Sequence, residues 1–522
     1  VTPSEQDVEF PVDASLREKL AQLMFVRIGS NLPPVKTVEE DEARVARLLG
    51  SCPIGGLIVF NGSYADTPAT LARLQRQSRY PLLVSSDLER GAGQQLRGYP
   101  LFPHAMAFDA LGAGAAEAVF RFAELTGQTS RAAGVHIVFG PVADVNSDPQ
   151  NPIISTRAFA AEAPRAAELA AAFVRGCNAA GLLSAAKHFP GHGNTHEDSH
   201  HALPTVDATR AEMNSRELPP FAAAIAAGVP LVMSAHVRYP ALDPAGSAAT
   251  LSKPILTDLL RGALGFKGAV VSDSLLMEGV KIGCANEGEL ALKALTAGVD
   301  VLLDVADPLG TLSSLEKAVA SGNLSPARVD EALSRVLELK VAAFAAPLSA
   351  AFDEEENRRT TEMMALDVAR RATTVPKQRG GLLPVSPERT LCAVLINPFP
   401  LPSNAEPPPL GKLLAEKFPR LDYLELGAEP SDAELAAIAG RAAAADQLLA
   451  AFVVKPAAWH RFGLPPRLRE WLQSLIARRP TVVACLGAPQ GLDPVADAPV
   501  QICTFSDVPV SQAALVERLL ET

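Results

Sequence analysis

Residues 182–193 read Leu182-Leu-Ser-Ala-Ala-Lys-His-Phe-Pro-Gly-His-Gly193. A short apolar run ends abruptly in a Lys-His pair, and a loop broken by Pro190, Gly191 and Gly193 follows. The stretch before it, Ala161–Ala180, is helical in composition. This unit recurs from residue 20 to about 345. The apolar runs are Leu23–Ile28, Gly56–Phe60, Leu82–Ser85, His136–Phe139, Leu182–Ala186, Leu231–Ser234, Ala269–Ser272 and Val301–Asp304. Continuous apolar runs of this length suit strands buried on both faces of a parallel sheet. Eight strand–helix units in about 320 residues fit a (β/α)8 barrel of the TIM type better than an open doubly wound sheet. The open sheet would want a Gly-rich phosphate loop after its first strand, and the sequence has none there.

Beyond the barrel the chain changes character. A charged stretch begins Phe352-Asp-Glu-Glu-Glu-Asn-Arg-Arg, and the turn-rich Pro376-Lys-Gln-Arg-Gly-Gly follows. A linker or crossover is expected here. Strand-like runs then resume at Leu391–Ile396, Tyr423–Leu426, Leu448–Val454, Thr481–Leu486 and Val500–Phe505, alternating with helical stretches such as Asp432–Ala445. The expected organisation is a barrel over 1–348, a linker over 349–387 and a smaller α/β domain over 388–522.

Composition narrows the function. The 522 residues include 48% hydrophobic and 20% charged residues, enough for large cores. With 47 Lys and Arg against 58 Asp and Glu, the net charge is −11 and no basic stripe appears, which argues against nucleic acid. No apolar run reaches the ~18 residues of a membrane helix. The opening VTPSEQDVEFPVD is polar and acidic, unlike a signal peptide, although it lacks Met and an export signal could have been trimmed. Six well-separated cysteines form no CxxC pair; read as buried free thiols, they favour a reducing, cytoplasmic setting.

Five barrel strands end in polar residues: Ser86-Asp87, Asp144, Lys187-His188, His236 and Ser272-Asp273. Active sites of such barrels form at these C-terminal strand ends. Five of the nine histidines fall within residues 187–201. His188, His192, His196 and His200 are four apart, a zinc-like spacing on a helix. Pro190, Gly191 and Gly193 forbid that helix, so the spacing confers no common face and no metal is expected. Asp273 ends an apolar strand and precedes Leu275, Leu276 and Met277. A carboxylate there needs partners or a task. Capping the next helix would equally account for it.

Lys187-His-Phe-Pro-Gly-His-Gly followed by Asp198-Ser-His200, with Ser272-Asp-Ser-Leu-Leu-Met-Glu-Gly279 downstream, resembles glycoside hydrolase family 3. Within it, the motifs are most similar to the NagZ-type β-N-acetylglucosaminidases. The resemblance covers residues 13–345, and the remainder resembles the α/β sandwich domain that many members append. It implies retaining hydrolysis of a terminal β-linked GlcNAc, from muropeptides or chitin oligosaccharides, with no cofactor. It carries Asp273 over as nucleophile and Asp198 with His200 as an acid/base dyad. Lys187, His188 and Asp87 carry over as sugar ligands. Arg157, in Asn151-Pro-Ile-Ile-Ser-Thr-Arg-Ala-Phe159, carries over likewise. The family's D-x-E-G-G-x-V-x-R here reads Asp87-Leu-Glu-Arg-Gly-Ala-Gly-Gln-Gln-Leu-Arg97, so either Gln95 or Arg97 stands at the final Arg. Asn194 follows GHG where Asp is common.

The chemistry is coherent. An ionised Asp273 beside Lys187 and Arg157 could stabilise oxocarbenium character and form a glycosyl-enzyme. A histidine can give and retake a proton near neutral pH, oriented by Asp198. Two alternatives use the same barrel. Phosphate could replace water, since a neutral histidine does not repel it. A second-domain carboxylate could serve a β-glucosidase.

Overall fold

The eight apolar runs all form strands in the computed structural model, which describes residues 10–11, 13–195, 203–345, 352–399, 407–457 and 462–521. They are β1 (Met24–Ile28), β2 (Gly56–Val59), β3 (Leu83–Ser86), β4 (Ile137–Val138), β5 (Leu183–Phe189), β6 (Leu231–Ser234), β7 (Ala269–Ser272) and β8 (Leu302–Leu303). All neighbours run parallel in the order β8-β1-β2-β3-β4-β5-β6-β7. The ring closes between β7 and β8, where the amide of Ser272 donates to Val301 O at 3.0 Å and that of Leu275 to Leu303 O at 3.0 Å. Nearly every strand residue is buried, as a parallel sheet covered on both faces requires. The intervening helices are amphipathic. Val38–Leu49 starts with a Thr37–Glu40 capping box and buries Val38, Asp41, Val45 and Leu49, one face at helical spacing.

Two polar anchors sit away from the strand C-termini. Just before β8, fully buried Asp300 receives Arg261 at 2.6 Å, Arg328 at 2.8 Å, Arg335 at 3.0 Å and the Val270 amide at 2.9 Å. Those partners offset a desolvation that an isolated carboxylate could not sustain. In helix Pro326–Ala345, Lys340 is 1% exposed, and its ammonium donates to Gln22 Oε1. The Gln22 amide in turn donates to Pro53 O at 2.5 Å. Burial pushes the Lys340 amine down to about 7.

The chain divides into two compact units. The first is Val1–Pro100, Ala116–Asp148 and Ala158–Thr361; the second is Leu101–Ala115, Pro149–Arg157 and Glu362–Thr522. The second holds a six-stranded sheet of β9 (Thr374–Gln378), β10 (Leu391–Ile396), β11 (Leu421–Leu426), β12 (Gln447–Val454), β13 (Val482–Gly487) and β14 (Val500–Cys503), in the order β9-β14-β13-β12-β10-β11. Only β9 is antiparallel. Alternate residues of β10 enter different cores, Leu391, Ala393 and Leu395 on one face and Val394 and Ile396 on the other. Two excursions from the first half of the chain belong to this unit. His104 Nδ1 lies 2.8 Å from Ser506 Oγ, and the Ala457 amide donates to Pro152 O at 3.2 Å. The stretch whose composition suggested a linker carries helix Glu354–Ala372, with Ala365, Val368, Ala369 and Ala372 buried, and strand β9.

All six cysteines are free thiols, and only Cys284 is not buried. Among the described residues no helix is long and apolar enough to cross a membrane.

Candidate active site

A bulge in β5 starts the site. Pairing with β6 runs Ala185–Leu231 and Ala186–Val232 and resumes at Phe189–Ser234, so Lys187 and His188 fall where the register shifts by one residue. A strand alternates its side chains between faces; an extra residue re-aims them, so two consecutive residues can serve one mouth. Lys187, 2% exposed, donates to Asp87 Oδ1 at 2.7 Å and lies 2.6 Å from Glu89 Oε1, both just beyond β3. His188 Nδ1 donates to Asp144 Oδ2 at 2.7 Å, beyond β4. Asp144, fully buried, also accepts the amides of His188 at 3.2 Å and His192 at 2.7 Å. Burial opposes its ionisation, but His188 and His192 outweigh that and hold its carboxyl below the usual range. An ionised Asp144 fixes the Nδ1–H form of His188, leaving Nε2 unclaimed among the described residues.

The loop after β5 packs tightly. A Cβ on Gly193 would sit 1.7 Å from Val145 O, so only glycine fits. Gly191 takes φ +131° with Glu217 against it, and the Tyr239 hydroxyl donates to Gly191 O at 2.7 Å. Burial raises the Glu217 carboxyl above its usual range despite the Arg216 ion pair.

Asp273 follows β7 directly and is partly exposed. Its Oδ1 accepts the Ser274 amide at 2.7 Å. Desolvation opposes its charge, while His236, His188, the Ser274 amide and Lys187 together hold its carboxyl below the usual value. His236, beyond β6, spans Thr250 Oγ1 at 2.8 Å and Ser274 O at 3.0 Å. Burial lowers its pKa, the Asp273 carboxylate opposes that, and its Nε2–H donates to Ser274 O. The structure thus brings Asp87, Lys187, His188 and Asp273 to one end of the barrel, where Lys187 and His188 contribute to lowering the Asp273 carboxyl.

The other expected residues fall elsewhere. Asp198 and His200, with His196 and His201, lie outside the described residues. Arg157 belongs to the second unit; within it, its Nη1 donates to Ile153 O at 3.0 Å, and Asn151 Oδ1 caps the same turn through the amides of Ile153 and Ile154. Gln95 is buried, its Oε1 accepting from Asn31 Nδ2 at 2.9 Å and from the Asn61 amide at 3.2 Å. Arg97 is exposed and donates to Asn61 Oδ1. Among the described residues no group of three His, Cys, Asp or Glu is placed to hold a metal. Three participants carried no assignment from sequence. Asp144 and His236 were visible as polar strand ends. Glu89 was not, because a carboxylate two residues past a strand reads as loop.

Residues 15–339 match the Glycosyl hydrolase family 3 N terminal domain. A β-N-acetylglucosaminidase/β-glucosidase of Cellulomonas fimi is 32% identical over 369 residues, covering 68% of this chain and 64% of that protein. A β-hexosaminidase of Idiomarina loihiensis is 32% identical over 348 residues, 65% of this chain and 97% of its own length. The chain spans only 54% of a β-hexosaminidase A of Pseudoalteromonas piscicida. Among solved structures, a glycoside hydrolase family 3 β-N-acetylglucosaminidase from Paenibacillus sp. str. FPU-7 superposes with a TM-score of 0.86 at 28% identity, covering 97% of this chain and 96% of that one. The matched span contains the whole eight-strand barrel and the site at its mouth, and the chain belongs to glycosyl hydrolase family 3.

Proposed function

We propose that the protein is a retaining exo-β-N-acetylglucosaminidase with Asp273 as its nucleophile. The observation that carries this is Asp273 itself: a carboxylate at the barrel mouth, one oxygen held by a backbone amide, whose pKa is held below the usual value by the His236, His188 and Lys187 side chains and that amide. The names of the Cellulomonas, Idiomarina and Paenibacillus relatives support the sugar. Asp273 attacks the anomeric carbon as the glycosidic C–O bond breaks, and the departing oxygen takes the bond pair and a proton from the acid. Water then delivers hydroxide to that carbon, its proton returns to the base, and the carboxylate leaves. His200 with Asp198 is the acid/base pair in this reading. Asp87, Lys187 and His188 bind sugar hydroxyls, with Arg97 as a further ligand.

A second reading, cleavage of β-glucosides as well, is favoured by the double name of the Cellulomonas relative. A panel of aryl β-glycosides of GlcNAc, glucose and xylose, with and without phosphate, separates them. The N-acetylglucosaminide is expected to be turned over at a kcat/KM at least about tenfold above the glucoside, since a site that pairs a polar substituent rejects analogues lacking it. Equal values would overturn the GlcNAc assignment. A phosphate-dependent rate with a glycosyl phosphate product would replace hydrolysis by phosphorolysis.

A further inference from the structure

Ser274, the residue after Asp273, has every polar group engaged. Its amide holds Asp273 Oδ1 at 2.7 Å, its carbonyl accepts from His236 Nε2 at 3.0 Å, and its hydroxyl donates to Asp304 Oδ2 at 2.7 Å while accepting the Leu276 amide at 3.3 Å. Asp304 directly follows β8, is 1% exposed, and is locked by Arg27 of β1 in a two-pronged pair, Nε–Oδ1 3.0 Å and Nη2–Oδ2 2.5 Å. Arg27 stacks on Phe60 with 4.5 Å from its guanidinium carbon to the ring centroid. Asp304 also adopts φ +65°, a left-handed conformation that costs a non-glycine residue energy and recurs at functional sites. A chain of contacts therefore runs from β1 through β8 to the turn carrying Asp273, and a second arrives from β6.

We propose that Ser274 is a positioning residue for the nucleophile, with Asp304 as its anchor, and that Asp273 attacks through Oδ2 because Oδ1 is held by the Ser274 amide. This rests on the assignment of Asp273 as nucleophile. The two anchors fix the peptide that carries the amide and so fix the rotation of the carboxylate. Attack geometry tolerates little error; misplacement by about 1 Å can lower a rate about 10²-fold. Among the described residues Oδ2 has no hydrogen-bond partner, as an attacking oxygen requires.

The test measures the rate of covalent trapping by a 5-fluoro-N-acetylglucosaminyl fluoride, with peptide mapping of the label and binding of N-acetylglucosamine to score intact sites. Ser274→Ala should lower the trapping rate about 10- to 100-fold while N-acetylglucosamine binding changes less than about threefold. Ser274→Thr, which keeps the hydroxyl, should recover most of the rate. Asp304→Asn suits the left-handed backbone, which Asn tolerates, and should mimic Ser274→Ala. The double variant should be no slower than the slower single one, because both remove the same constraint. Trapping at the wild-type rate in Ser274→Ala, failure of Ser274→Thr to recover, a parallel loss of ligand binding, or additive losses in the double variant would each overturn the positioning role. A label on any residue other than Asp273 would instead overturn the nucleophile assignment.

Discussion

Asp273→Asn is expected to lower kcat by roughly 10⁴–10⁶-fold, the scale on which losing a covalent nucleophile disables an enzyme. The variant should fold normally. Asn retains an oxygen to accept the Ser274 amide, and Asp273 is partly exposed rather than part of the packed core. Turnover of an activated aryl glycoside with Tm alongside checks this. Activity within tenfold of wild type would remove Asp273 from the mechanism. The pH profile gives an independent reading. His236, His188 and Lys187 hold the Asp273 carboxyl below its ordinary value, so the acid limb of kcat/KM set by the nucleophile should lie below the usual carboxylate range.

Lys340→Met should stabilise the protein at neutral pH. The unfolded chain carries an amine near 10.5, while the folded one holds it at about 7. Between those values the unfolded chain binds a proton that the folded chain refuses, so falling pH favours unfolding throughout that window. The penalty is absent above 10.5, grows as pH drops and is complete below 7. At ~1.4 kcal/mol per unit it approaches about 5 kcal/mol. Methionine removes it but leaves buried Gln22 Oε1 without its donor, a cost of about 1–3 kcal/mol. The net gain should be about 2–4 kcal/mol at pH 7 and should shrink or reverse by pH 10, read from urea unfolding. A variant less stable than wild type at pH 7 would show that Lys340 is held by more than its amide partner.

Local pattern made the barrel legible because nearly every residue of its eight strands is buried, and the strands therefore write mostly apolar runs. Four of the five parallel strands of the second unit were legible for the same reason; the fifth, edge strand β11, is only partly buried and showed through its Tyr423–Leu426 run. Its antiparallel β9, Thr374-Val-Pro-Lys-Gln378, was not, since an edge strand with Pro and Lys imitates a turn. Helix Glu354–Ala372 hid behind its charge: three glutamates suit a helix N-terminus, and its buried stripe is mostly alanine. At the site, Lys187, His188 and Asp273 announced themselves as polar breaks at strand ends. Arg27 lay inside a strand run and Asp304 closed one. Their pairing across 277 residues has no trace in local spacing.

The excursions Leu101–Ala115 and Pro149–Arg157 give the protein a schedule as well as a shape. His104 leaves the ribosome 402 residues before Ser506, the hydroxyl that it meets. At about 5–20 residues per second that is about 20–80 s of synthesis. During that interval the barrel sequence has been made in full, yet two of its inserted stretches still lack the sheet on which they settle. The first unit can fold once residue 361 is made, but the second, begun at residue 101, cannot be completed until its C-terminal sheet exists. Nascent chains arrested after residue 361 should therefore be cut by protease within 101–115, and full-length chains should resist. Protection already present at 361 would mean that these stretches dock before their sheet exists.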